Sequence, residues 1–187
     1  MYIKENIKRL KCFYDFSLRK LSNLTQVSLA TLSDTVNGIN QEDKILLKTL
    51  INLTSCFQIT LEEFVLTKLN DGNDQHCIMI LKNKKLFLRD NLMYLTDRKG
   101  VSIRKLAEEA SVSKTSLFYL KDKKIFEENM RIGTIVKLAS YFNLTLDELV
   151  FEDLSKKEKS RQYCPLLVKR INAEYEEKWR EKDECSI

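Results

Sequence analysis

Apolar side chains recur at helical spacing along most of the chain, and the pattern occurs twice. Each copy begins with a stripe at i, i+4 and i+7 that would cover one face of a helix. The stripe consists of Ile3, Ile7 and Leu10 in the first copy and of Leu88, Leu92 and Leu95 in the second. The spacing predicts a first helix over 3–14 and its counterpart over 88–99.

The displacement between the two stripes is 85 residues, and it relates many other positions without a gap. It carries Ser17–Leu21 onto Ser102–Leu106 and Thr60–Glu63 onto Thr145–Glu148. It also pairs Val27 with Val112, Ser28 with Ser113, Leu32 with Leu117, Leu53 with Leu138 and Phe57 with Phe142. One short match arises easily by chance, whereas matches in a single register indicate two copies of one unit.

Each copy is predicted to contain five helices. Ser17 and Ser102 are expected N-caps of the second helix, because a serine hydroxyl can accept from the free N–H groups of a first turn. The third helix is capped in the same way by Ser28 and Ser113. A longer fourth helix is predicted over roughly 43–57 and 129–142. Thr60-x-x-Glu63 and Thr145-x-x-Glu148 have the capping-box spacing that begins a short fifth helix.

These elements divide the chain into four parts. The predicted domains are 1–69 and 88–154, joined by a linker over 70–87 that opens with Asn-Asp-Gly-Asn-Asp and is followed by a tail over 155–187. With one proline and four glycines, the composition favours helices over strands and turns. The predicted fold class is all-α: two tandem five-helix helix-turn-helix domains plus a C-terminal amphipathic helix.

The linker and the tail each carry an apolar stretch. Cys77–Leu81 is too apolar for an idle linker, and it either extends the helix that follows or packs between the copies. The tail places Leu167, Ile171, Tyr175 and Trp179 on one helical stripe. That stripe either packs back on a domain or forms a dimerisation helix, so a homodimer is expected as one outcome.

The second and third helices of each copy have helix-turn-helix spacing. The segment Ser102–Leu120 places apolar residues at the positions that such a motif buries: Leu106, Ala107, Ala110, Val112, Leu117 and Leu120. At these residues the chain resembles the lambda-repressor-like family, of the Cro and phage-repressor type. The first copy matches through Leu21, Val27, Ser28, Leu32 and Asn37-Gly38. The resemblance covers roughly 130 residues and leaves out the linker and the tail.

The first copy departs further from the family pattern than the second. The turn position that usually holds glycine is Gln26 in one copy and Ser111 in the other, and either can adopt the turn at a modest cost. Thr35 occupies an expected apolar position, with Val36 beside it as a possible replacement.

The resemblance implies that the third helix of a copy lies in the major groove of double-stranded DNA. In the second copy, the implied base-facing residues are Lys114, Thr115 and Tyr119, followed by Phe118. The implied phosphate contacts are Ser113, Lys121, Lys123 and Lys124. Lysine can donate to guanine O6 and N7, and threonine can offer a hydroxyl or a methyl group. Residues 113–124 hold four lysines and one aspartate, a net charge of +3.

The matching face of the first copy is chemically different. It consists of Ser28, Leu29, Ala30, Ser33 and Asp34. Residues 28–38 contain no cation and have a net charge of −1. Leu29 and Ala30 could touch a thymine methyl group, and Asp34 would face a phosphate or a cytosine amino group. The second copy is therefore the favoured DNA reader, and the first is either a weak reader or a protein-contact module.

Charge and residue types bound the other function classes. The net charge of +5 is compatible with nucleic acid, but no segment is a basic arm. The single histidine, His76, leaves no base for Ser-His or Cys-His catalysis, and adjacent carboxylates such as Glu62 and Glu63 point about 100° apart on a helix. No enzyme activity, cofactor or metal site is expected.

The five cysteines lack C-x-x-C spacing and are expected to be reduced, mostly as small apolar fillers. Without an apolar span or signal core, a cytoplasmic protein with no membrane contact is expected.

Two functions remain in competition. The resemblance implies a sequence-specific transcriptional regulator, specifically a repressor of phage or mobile-element type, acting on paired half-sites as a homodimer or as one chain with two units. The alternative is a protein-binding inhibitor that resembles anti-CRISPR proteins and also represses its own promoter. Leu29, Ala30, Asp34 and the apolar tail stripe motivate that alternative.

Overall fold

The computed structural model describes residues 1–69 and 85–157, and these residues are helical without a β-strand. This confirms the all-α class for the described part of the chain. The first five helices are α1 (Ile3–Phe13), α2 (Leu18–Thr25), α3 (Leu29–Asn37), α4 (Leu47–Phe57) and α5 (Leu61–Leu66). The next five are α6 (Leu88–Lys99), α7 (Ile103–Glu109), α8 (Lys114–Lys121), α9 (Ile132–Phe142) and α10 (Leu146–Phe151). One-turn 3-10 helices, Glu42–Lys44 and Glu127–Asn129, precede α4 and α9.

Residues Met1–Glu152 form one compact unit. Below, the first half denotes residues 1–69 and the second half residues 85–152. The predicted apolar segment Cys77–Leu81, the tail stripe from Leu167 to Trp179 and His76 lie outside the described residues.

Local hydrogen bonds fix the helix starts where the sequence predicted them. The hydroxyls of four serines accept from the backbone N–H three residues later, at 3.1 to 3.4 Å; they are Ser17, Ser28, Ser102 and Ser113. Both capping boxes are complete, since the Glu63 carboxylate accepts from the Thr60 N–H at 3.1 Å and Glu148 accepts likewise from Thr145. These predictions are confirmed.

The turn between the second and third helices also follows the predicted geometry. Gln26 has φ 54° and Ser111 has φ 53°, so both occupy the left-handed region without glycine. Thr35 takes the apolar position with only 2% of its surface exposed. Its hydroxyl donates to the Thr31 carbonyl at 2.7 Å, which satisfies the buried polar group within the helix.

The predicted start of the fourth helix is wrong in both halves. The α4 helix begins at Leu47 rather than near 43, and α9 begins at Ile132 rather than near 129. The residues before them are extended, with ψ 137° at Ile45 and 143° at Met130. The cause is tertiary, because the carbonyls of Ile45 and Met130 accept hydrogen bonds from the opposite half.

A buried asparagine ties the first helix of each half to the last. Asn6 is fully buried, and its Nδ2 donates to the carbonyls of Phe64 and Thr67 at 2.9 and 2.8 Å. The Nδ2 of Asn91 donates in the same way to Leu149 and Glu152, at 2.9 and 2.6 Å. The positions are 85 residues apart, so the repeat extends to a polar contact inside the core.

Two cysteines lie among the described residues, and neither forms a disulfide. Cys56 is buried in the core, and burial raises the pKa of its thiol. It therefore behaves as the expected apolar filler. Cys12 is exposed, so it does not fill the core as expected.

Candidate nucleic-acid interface

The α8 helix presents a polar and aromatic face to solvent because its leucine side chains are buried in the core. Leu117 and Leu120 are fully buried and fix which side of the helix points inward. Lys114 and Thr115 are exposed, and Tyr119 is 44% exposed. Three of the four base-facing candidates thus lie in contact with solvent, and the fourth, Phe118, is half-buried against the core.

Cations continue from α8 into the turn that follows it. Lys121, Lys123 and Lys124 are exposed, as is the capping residue Ser113. Lys123 adopts φ 57°, which turns the chain directly after the helix. The Lys124 ammonium lies 5.6 Å from the centre of the Tyr119 ring and 3.7 Å from the Asp122 carboxylate. Because Asp122 is itself exposed, this ion pair holds the lysine only weakly.

The α3 helix occupies the matching place in the first half but carries different chemistry. Leu32 and Thr35 point inward. The outward residues comprise the exposed Ser28, Leu29 and Ala30 and the half-buried Ser33 and Asp34. Leu29 is 42% exposed, and Ile39 just beyond the helix is 70% exposed. This face is apolar and acidic where the α8 face is basic.

The two halves contact one another through reciprocal carboxylate caps. The Asp147 carboxylate, at the start of α10, accepts from the backbone N–H groups of Leu61 and Glu62 at 3.1 and 2.8 Å. The Glu62 carboxylate, at the start of α5, accepts from the N–H of Leu146 at 2.7 Å. Glu62 and Asp147 are equivalent positions of the repeat. Each half therefore caps a helix of the other.

A second reciprocal contact joins the extended residues before α4 and α9. The Leu47 N–H donates to the Met130 carbonyl at 2.8 Å, and the Ile132 N–H donates to the Ile45 carbonyl at 2.9 Å. Leu46 and Arg131 form an antiparallel bridge between them. The displacement of 85 maps each of these hydrogen bonds onto the other. Such an exchange of contacts is the signature of an isologous, two-fold interface.

Side chains break the symmetry at one place beside this bridge. The Lys48 ammonium lies 3.5 Å from the Glu128 carboxylate, with both groups largely exposed. The equivalent pair on the other side is Gly133 and Asp43. A Cβ on Gly133 would lie 2.7 Å from the Asp43 Cβ and 2.9 Å from its carbonyl oxygen. Glycine is required there because the two backbones approach too closely for a side chain.

Carboxylates also cap the first helix of each half. Glu42 accepts from the Lys4 N–H at 2.7 Å, and Glu127 accepts from the Arg89 N–H at 3.0 Å. Burial raises the pKa of Glu127, and the hydrogen bond from Arg89 opposes that shift. The contact is structural, because it fixes the 3-10 turn against the start of the helix.

A side-chain hydrogen bond in the second half links α7 to α9. The Tyr141 hydroxyl donates to the Glu109 carboxylate, and this bond lowers the pKa of Glu109 and raises that of Tyr141. The Lys99 ammonium lies 4.1 Å from the centre of the Tyr141 ring. These groups position α7, the helix that precedes the turn into α8.

Across residues 1–69 and 85–157, no three histidine, cysteine or acidic side chains lie close enough to hold a metal ion. Within the same ranges, no helix is long and apolar enough to cross a membrane.

The face of α8, the acidic face of α3 and the junction between the halves are candidate functional surfaces. The junction comprises residues 45–47 and 130–132 together with Glu62 and Asp147. Sequence reasoning named the first two, and it missed the junction. Comparison with known proteins finds no matching family model, no similar curated protein and no similar solved structure.

Proposed function

We propose that this chain is a sequence-specific, double-stranded DNA-binding transcriptional regulator, specifically a repressor of phage or mobile-element type. In this proposal, each of the segments 1–69 and 88–154 is a five-helix helix-turn-helix domain, and α8 is the principal reading helix. The observation that carries the proposal is the exposed face of α8, where lysines and an aromatic side chain project from a helix whose apolar side is buried.

The chemistry of that face suits a major groove. Lys114 lies in the first turn of α8, where a reading helix meets base edges, and its ammonium can donate to guanine O6 and N7. Thr115 and Tyr119 extend the same face. Ser113 and the lysines at 121, 123 and 124 would contact phosphates, which fixes the orientation of the helix without reading sequence.

The junction between the two halves of the chain gives the proposal its second line of support. A two-fold relation between the halves gives one chain the arrangement that repressors of this type reach by pairing two chains on two half-sites. In this proposal a single chain covers both half-sites. A homodimer formed through the tail would then bind two such sites rather than one.

Selection of duplexes from a random DNA pool tests the proposal, with affinity of the enriched duplex followed against salt. An enriched motif and a steep fall of affinity with salt are expected, since each phosphate contact contributes a slope of about −0.9 in log affinity against log salt. Lys121→Ala should reduce the slope by about one such contact. Affinity that depends on salt without any enriched motif would contradict sequence-specific regulation.

A second candidate function rests on the first half. Leu29 and Ile39 are exposed apolar side chains close to the acidic Asp34, which is a surface suited to a protein partner. The candidate is a protein-binding inhibitor that resembles anti-CRISPR proteins, with autoregulation through α8. A pull-down in DNase-treated lysate distinguishes the two, because recovery of this chain alone counts against the inhibitor.

A further inference from the structure

We infer that the DNA site of this chain is asymmetric: α8 reads the base sequence of one half-site, while α3 occupies the other half-site with little base selectivity. The inference rests on the proposed function, and it specifies the kind of duplex that the protein takes. Three observations carry it: the reciprocal junction, the side chains at equivalent positions of α3 and α8, and the cations that flank them.

The junction places α3 and α8 at equivalent positions of two halves that exchange contacts. Because the contacts made by Glu62 and Asp147 are exchanged between the halves, the rotation that superposes one half on the other also exchanges α3 and α8. Two reading helices related by a two-fold axis are the arrangement that fits two half-sites of one duplex. For both helices to enter grooves of one duplex, α3 must lie about one helical turn of DNA, roughly 34–36 Å, from α8.

The equivalent residues on the two helices cannot read the same bases. Leu29 stands where the second half has Lys114, and Asp34 stands where it has Tyr119. Leucine offers only apolar contact to a thymine methyl group, and aspartate can only accept, typically from a cytosine amino group, so it cannot donate to guanine O6 and N7 as lysine does. An arginine or lysine contact to guanine, the commonest specific contact, is not available from α3.

The phosphate contacts after the helix differ as well. The positions of Lys121, Lys123 and Lys124 are held in the first half by Val36, Gly38 and Ile39. The backbone is the same at this turn, since Gly38 has φ 76° and Lys123 has φ 57°. The first half thus keeps the shape of the reading unit but lacks its three cations.

The start of α2 carries two cations that are also present at the equivalent place in the second half. Arg19 and Lys20 are exposed, as are their counterparts Arg104 and Lys105. Lys20 lies over the Phe16 ring at 4.3 Å from its centre, which holds it close to the helix start. These side chains can bind phosphates without reading bases, so the first half is expected to cover its half-site while tolerating changes in its sequence.

Hydroxyl-radical footprinting of the enriched duplex, together with substitution of every base pair in it, tests the inference. Two protected stretches on one face of the duplex are expected, with base-pair substitutions weakening affinity tenfold or more in only one of them. Equal sensitivity in both stretches would overturn the inference while leaving the proposed function intact. Protection of only one stretch would overturn the inference and the single-chain coverage of two half-sites, while leaving sequence-specific binding by α8 intact. Failure to enrich any duplex would instead refute the proposed function itself.

A graft of the α8 face onto α3 gives an independent test. The triple variant Leu29→Lys, Asp34→Tyr, Ile39→Lys changes three solvent-accessible side chains, and circular dichroism checks that it remains folded. Its affinity is compared for a duplex carrying two inverted copies of the α8 half-site and for one in which the second copy is scrambled. The ratio of these affinities should rise at least tenfold over that of the unaltered chain, whereas an unchanged ratio would show that α3 does not enter the second half-site.

Discussion

The carboxylate of Asp147 accepts more hydrogen bonds across the junction than the equivalent carboxylate of Glu62. It accepts two backbone hydrogen bonds from the start of α5, at 3.1 and 2.8 Å, whereas Glu62 accepts one in return from the start of α10. Replacement of Asp147 by alanine removes both acceptors and a negative charge from a helix N-terminus. We therefore expect Asp147→Ala to destabilise the protein more than Glu62→Ala.

The magnitude follows from the number of donors that lose a partner. Loss of a side-chain cap typically costs about 1 kcal/mol, with a range of about 0.5–2 kcal/mol. With one donor affected, Glu62→Ala should cost about 1 kcal/mol. With two donors affected, Asp147→Ala should lie near 2 kcal/mol. The double variant should cost less than the sum, because both caps hold the same junction.

Urea unfolding of the full chain, followed by circular dichroism, measures these differences. At a typical slope of about 1–3 kcal/mol per molar urea, a loss of 2 kcal/mol lowers the midpoint by roughly 0.7–2 M. Glu108→Ala is a matched control, since Glu108 is an exposed carboxylate on α7. If Asp147→Ala unfolded at the midpoint of this control, the caps would contribute nothing and the reasoning would be refuted.

Three further predictions concern single contacts. Gly133→Ala should destabilise the chain by about 1–3 kcal/mol in the same urea assay, because the new Cβ would lie 2.7 Å from the Asp43 Cβ. An increase in stability would contradict this expectation, because the higher helix propensity of alanine would then outweigh the close contact. Asn91→Ala should lower the free energy of unfolding in urea by about 2–3 kcal/mol, because two carbonyls at the end of α10 would lose their donor. A loss below about 0.5 kcal/mol would contradict that role. Tyr141→Phe should raise the pKa of Glu109 toward its ordinary value in a carboxyl NMR titration, and an unmoved pKa would exclude the hydrogen bond as its cause. In the unaltered chain this carboxylate stabilises the fold above its unfolded pKa, and the contribution is lost as pH falls through the lowered folded pKa.

Sequence predicted the starts of the helices with side-chain caps well, because capping chemistry is local. A serine hydroxyl at 17 or 113 needs only the backbone N–H three residues later, so its role is readable from the chain alone. The capping boxes are local in the same way. The left-handed turns at Gln26 and Ser111 are expected from the family resemblance, in which glycine usually holds this position.

Sequence failed where the partner of a group lies far along the chain. The apolar residues near Ile45 and Met130 fit a helix by periodicity, but their backbones are extended because they bond across the junction. Glu62 reads as a helix carboxylate beside Glu63, and its bond to Leu146 spans 84 residues. Asn6 and Asn91 give no local signal of burial, because the carbonyls to which they donate lie 58 residues further along the chain. Only their equivalence in the repeat signals that the same buried contact occurs twice.

Whether α8 reads DNA is decided by the affinity of the full chain for the enriched duplex when α8 is altered. Lys114→Ala and Tyr119→Ala are measured by fluorescence anisotropy beside Lys8→Ala, which removes an exposed lysine from α1. We expect a loss of about 1–3 kcal/mol for each base contact, roughly fivefold or more in affinity, with a much smaller effect of Lys8→Ala. If both α8 variants bound the duplex as tightly as the Lys8→Ala control, α8 would not be the reading helix.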